Sequence, residues 1–87
     1  MAEVTPEVRK VLTALENPNY EWRTVEGVIK ETSLPEGRVR TILKEHSDLI
    51  MQSSVPDKDG RSLFTTRQHY QDTHGPFQRL KTIFRAG

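Results

Sequence analysis

A proline set just past a break between two short amphipathic patterns constrains this chain more than any other feature. The stretch is residues 24–49. On its near side Val25, Val28 and Ile29 fall on one helical face. On its far side Val39, Ile42 and Leu43 do the same, with His46 one turn further on. Apolar residues at i, i+3 and i+4 are the signature of helices that bury one stripe. Pro35 has a fixed φ and no N–H, so it suits the first turn of a new helix and would break the interior of an old one. Ser33 or Leu34 is then the N-cap, and Ser33 is the better cap chemically. Leu34 is the apolar residue of the break and can plug the angle between the two helices. Two helices of about 25–32 and 36–46, joined by three or four residues at a steep angle, are the expectation.

The flanks supply partners. Thr5, Pro6 and Glu7 give a cap hydroxyl, a proline for the first helical position and a carboxylate for the positive helix end. Val8, Val11, Leu12 and Leu15 follow on one face, so a helix is expected over about 6–16. Asn17, Pro18 and Asn19 stop it. Residues 20–23 alternate aromatic and charged, which predicts a very short strand with Tyr20 and Trp22 facing inward. Thr24 caps the next helix, in which Gly27 is an oddity that allows close approach of the first or third helix.

Beyond the third helix, residues 49–55 and 62–66 read as strands. Between them Pro56, Asp57, Lys58, Asp59, Gly60 and Arg61 are dense in turn formers, which predicts a β-hairpin with a projecting tip. A short helix starts near residues 66–70, capped by Thr65 or Thr66. Gly75 and Pro76 then break the chain. Residues 1–74 are read as one domain and 75–87 as an appended amphipathic helix with Phe77, Leu80 and Phe84 on one face. An exposed stripe of that kind needs a cover. Packing back on the first helix, pairing in a homodimer, and docking to a membrane surface or a partner are the three expectations for it.

Composition narrows the function classes. At 87 residues with no cysteine, the chain depends on one well-packed core without disulfides or thiolate metal sites, and a cytoplasmic home is expected. No apolar run approaches the roughly 20 residues that span a bilayer, and Met1 to Lys10 is too polar for a signal peptide. The net charge is only +1, yet residues 1–48 carry a net of −2 and residues 49–87 a net of +3. His46, His69 and His74 lie in different elements, and His69 and His74 are not spaced as a helical metal pair. His46 is read as capping the third helix or packing at the core edge. There is no nucleophile motif and no phosphate-cradling glycine loop. Asp57 and Asp59 sit on a loop with no apolar wall to raise a carboxyl pKa. The chain is read as non-enzymatic, with no cofactor.

The order helix, short strand, helix, turn, helix, β-hairpin resembles the winged helix-turn-helix family over residues 5–70. Thr32, Ser33, Leu34, Pro35, Glu36, Gly37, Arg38, Val39, Arg40, Thr41, Ile42 and Leu43 look like the turn and recognition helix of bacterial winged helices. Leu49 and Ile50, the tip at 56–61, and Leu63, Phe64 and Thr65 are similar to the two strands and the wing. The resemblance implies an α+β fold, a three-helix core with a C-terminal β-hairpin wing. It also implies double-stranded DNA as partner and a role in transcription regulation. Helix 36–46 would enter the major groove and wing 56–61 would touch the backbone. Carried over residue by residue, the DNA-contacting set is Arg38, Arg40, Thr41 and Lys44 on the helix and Lys58 and Arg61 on the wing. Arg40 would take a guanine or a phosphate, Lys44 a phosphate, and Thr41 a phosphate or a thymine methyl. Glu36 and Glu45 share that helix, and Asp57 and Asp59 share that tip, against the grain of phosphate binding. The alternative is therefore a winged-helix module that docks a protein within a larger regulatory or signalling chain, since one fold serves both ends.

Overall fold

Thr5 opens the first helix as its hydroxyl oxygen accepts the Val8 N–H at 3.3 Å, and Pro6 fills the first helical position. The computed structural model describes residues 3–74. Helix α1 (Pro6–Leu15) buries Val8, Val11, Ala14 and Leu15. Asn17 then takes over, its side chain accepting from the Asn19 N–H across Pro18. Helix α2 (Val25–Thr32) is capped by Thr24, whose Oγ1 accepts the Gly27 N–H at 3.1 Å. Helix α3 (Glu36–Glu45) buries Val39, Ile42 and Leu43. Strands β1 (Ile50–Gln52) and β2 (Phe64–Thr66) pair antiparallel, with Ile50 opposite Thr66 and Gln52 opposite Phe64. Helix α4 (Arg67–His74) follows at once, capped by the Thr66 hydroxyl on the His69 N–H.

The core lies where α1, α2 and α3 meet, closed by Ile50 and edged by Leu12, Ile29, Leu34 and Phe64. This is the expected α+β arrangement, a three-helix core with a two-stranded wing. Burying ten apolar side chains at about 1.5–3 kcal/mol for each large one supplies the main force that holds it. The expected tail helix, with Phe77, Leu80 and Phe84, and the boundary drawn at residue 75 lie outside the described residues.

The turn between α2 and α3 is built differently from the expectation. Ser33 adopts a left-handed conformation, φ 61°, and terminates α2, its N–H donating to the Ile29 carbonyl. Pro35, extended at ψ 150°, is itself the N-cap of α3, and no side chain caps that end. In a turn this short Ser33 is spent on stopping α2, so it cannot also start α3. Leu34 does fill the angle, half-buried against the core.

The inward-facing phase of residues 20–23 is also reversed. Arg23 exchanges both backbone hydrogen bonds with Phe64 at 2.8 Å, a single bridge on the free edge of β2. Its side chain, not those of Tyr20 and Trp22, turns inward: Arg23 is 7% exposed and Tyr20 48%. The guanidinium donates to the Ala14 carbonyl at 2.9 Å, the Gly27 carbonyl at 3.1 Å and Glu31 at 2.7 Å. It thus adds a short, charged donor to a carbonyl at the end of α1 that otherwise receives only the long 3.4 Å contact from the Asn17 N–H. Tyr20 lies over it, ring centroid 4.0 Å from the guanidinium carbon. Trp22, half-buried, meets Tyr70 of α4 at 5.8 Å between centroids. Gly27 has its reason here as well. A Cβ at that position would stand 3.2 Å from Arg23 Nη2, so the glycine clears space for the arginine rather than for a neighbouring helix.

Candidate nucleic-acid interface

The periodicity that turns Val39, Ile42 and Leu43 inward leaves Gly37, Arg40, Thr41 and Lys44 exposed on the opposite face of α3, with Arg38 at its flank. Arg40 and Lys44 are one turn apart on that face, so their charges point the same way. The Arg40 Nε is 2.8 Å from Glu36 Oε2, an i, i+4 pair with both side chains more than half exposed. Such pairs hold about 0.3–0.5 kcal/mol, too little to prevent the guanidinium from exchanging Glu36 for a phosphate. Thr41 donates its hydroxyl to the Gly37 carbonyl at 2.9 Å, which leaves its oxygen and methyl facing out. Lys44 makes no hydrogen bond or ion pair among the described residues and has its full charge on offer. Arg38 reaches across to Glu7 of α1 at 2.8 Å.

The wing tip is held by its own acid. Asp57 accepts the N–H groups of Asp59 at 2.9 Å and Arg61 at 2.8 Å through one carboxylate oxygen. Its backbone N–H donates to the Arg61 carbonyl, and Gly60, at φ 79°, makes the reversal. These contacts, led by the Arg61 N–H, hold the Asp57 carboxyl below its ordinary pKa. The Arg61 side chain is ringed by acids: Asp59 at 2.8 Å, Asp57 at 3.2 Å and Glu26 of α2 at 4.0 Å. The hydrogen bond that it donates to Asp59, first of all, pushes its pKa further up. Lys58 is exposed at the same tip without a partner among the described residues.

The six residues taken from the sequence therefore do not form one cluster. Arg40 and Lys44 share a groove of about 750 Å3 between α3 and the base of the wing. Arg38 is turned toward α1. Arg61 borders a second depression, beside Tyr20, Trp22 and Glu26. One cation of the first groove went unnoticed in the sequence: Arg67, the first residue of α4. Nothing local marks it, because it reaches the groove only once the wing has folded back. The groove floor is apolar, formed by Val25, Leu43, Ile50 and Phe64. His46 is 2% exposed at the end of α3 and takes no part in the surface. Among the described residues no three His, Asp or Glu side chains gather as metal ligands, and no helix is long and apolar enough to cross a membrane.

Neither a family model nor a curated protein matches this chain. Solved structures do. One is from work on the mechanism for regulation of DNA binding of Bordetella bronchiseptica BpsR by 6-hydroxynicotinic acid. It superposes with a TM-score of 0.58 at 19% identity, over 94% of this chain and 76% of the other. A second is a MarR family transcriptional regulator from Silicibacter pomeroyi DSS, with a TM-score of 0.60 at 18% identity. It is matched over 95% of this chain, which spans only 56% of its length. The architecture shared with these structural neighbours is the winged helix-turn-helix.

Proposed function

The winged helix-turn-helix being the premise, we propose that this chain is a DNA-binding module of a transcription regulator and has no catalytic activity of its own. The observation that carries the reading is the outward face of α3. Arg40 and Lys44 stand one turn apart there, exposed, with Thr41 between them. A major groove admits one helix, and these side chain types address guanine edges, phosphates and thymine methyls. Lys58 contacts the backbone from the wing. Arg38 and Arg61 contribute only after exchanging carboxylates, so their share is smaller. That BpsR is described by its DNA binding supports the same reading.

A chemical-shift titration of the labelled chain with duplex DNA tests it. The expected result is perturbation centred on Gly37, Arg40, Thr41 and Lys44, with a weaker patch near Lys58. Arg40→Ala and Lys44→Ala are expected to weaken binding more than Lys10→Ala on α1. Perturbations confined to α1, or none, contradict the reading.

One observation favours a second reading. Arg38, Arg40 and Arg61 each carry a carboxylate of this chain, so the surface is close to neutral and suits a protein partner that brings both signs. A module of that kind shows no affinity for DNA at low salt.

A further inference from the structure

We propose that Arg67 is a phosphate-binding residue that completes the groove between α3 and the wing, gripping the DNA backbone together with Lys44 and Arg40. This rests on the DNA-binding reading above and adds to it a contact outside both the recognition helix and the wing tip.

Three observations meet at Arg67. It is exposed and lines the groove of about 750 Å3 that Arg40 and Lys44 also line. It is held in place from both ends: its backbone N–H donates to the Leu49 carbonyl at 2.8 Å, and its Nη2 to the Ser47 carbonyl at 3.1 Å. A guanidinium has five donors, and one suffices for that anchor, so the others stay available. Unlike Arg38, Arg40 and Arg61, it has no carboxylate within ion-pair distance among the described residues. Its charge is the least neutralised of the arginines around α3.

The groove's chemistry says what those donors take. Cations stand at the rim and apolar side chains, Leu43 and Phe64 among them, make the floor. A sugar–phosphate backbone has the matching halves, anionic oxygens beside the weakly polar face of a deoxyribose. A planar fork of donors binds a phosphate in a bidentate manner, with geometry that a lysine lacks. Because Ser47 fixes the guanidinium beforehand, little side-chain freedom is lost on binding.

Labelled duplex DNA is titrated against the parent, Arg67→Ala, Arg67→Lys and Lys10→Ala over about 50–200 mM salt, the range in which phosphate contacts show as a slope. Losing one phosphate contact lowers the slope of log affinity against log salt by about 0.9, which is about eightfold in affinity near 0.1 M. Arg67→Ala is expected to show both changes, Arg67→Lys to recover part of the affinity and most of the slope, and Lys10→Ala to resemble the parent. Thermal unfolding of each variant separates lost binding from lost fold, and Arg67→Lys keeps the question open to refutation if Arg67→Ala unfolds. Parent-like affinity and slope in Arg67→Ala, with Arg40→Ala still weakened, overturn the role of Arg67 and leave the DNA-binding reading standing. A parent that does not bind at low salt overturns both.

Discussion

Arg23 is a charged residue buried beside the small core, and its role ran against expectation. Alternation in residues 20–23 was legible, but its phase depends on a carbonyl contributed by α1, nine residues away. Aromatic content alone favoured Tyr20 and Trp22 as the buried pair. The weakly paired carbonyl at the end of α1 favoured a donor, and the donor won. Arg23→Ala removes hydrogen bonds to Ala14, Gly27 and Glu31 and leaves the Ala14 carbonyl with only the 3.4 Å contact from the Asn17 N–H. An expected cost of about 1.5–3 kcal/mol follows, the range for hydrogen bonds to a charged group, and urea unfolding measures it. Thr65 presents the opposite case. It is fully buried, and its hydroxyl has no hydrogen-bond partner among the described residues. Thr65→Val keeps the shape and deletes the unpaired group, so the unfolding midpoint should rise, by about 1 kcal/mol of stability. A fall in that midpoint means that the hydroxyl has a partner in solution.

At the scale of elements, helix positions and buried faces were legible because each is set locally. Thr5 and Thr24 cap the helices they precede, and Val39, Ile42 and Leu43 face the core as their spacing requires. The start of α3 was misjudged because the turn has too few residues for Ser33 to cap one helix and terminate another. The hairpin was legible as well, but its paired strands are three residues each where five to seven were expected. The remainder of each candidate strand goes into a tip cross-linked by Asp57 and Arg61. That tip predicts a pH response. The folded pKa of Asp57 lies below its ordinary 3.8, so the ionised form favours the closed tip above that value. The benefit is lost as pH falls through the lowered folded pKa, when the carboxylate gains its proton. Amide shifts of Asp59 and Arg61, followed by NMR, should therefore titrate with a midpoint below 3.8. A midpoint at or above that value contradicts the bonded tip. Glu31 shifts in the same direction, held down first by Arg23 and then by Asn17, so global stability should also begin to fall on the acid side.

For the whole molecule, the division of charge between the two halves was legible, but not where the charges settle. Arg38 finds Glu7 31 residues earlier in the chain, Arg61 finds Glu26 across the wing, and Arg67 finds Ser47 20 residues back. Pairings of that length depend on the finished fold and leave no local pattern. The folded chain keeps Lys44, Lys58 and Arg67 free of carboxylates among the described residues, and it partly neutralises Arg38, Arg40 and Arg61. Exposed ion pairs are weak, about 0–1 kcal/mol, and DNA offers a denser field of negative charge in exchange. On that balance the proposed DNA-binding surface around α3 is expected to show a salt dependence set mainly by Lys44, Lys58, Arg67 and Arg40. The most direct measurement is the affinity of the parent chain for labelled duplex DNA at several salt concentrations. Four phosphate contacts predict a fall of log affinity with log salt at a slope of about −3.6. Absence of binding at low salt, or binding that salt does not change, contradicts the account.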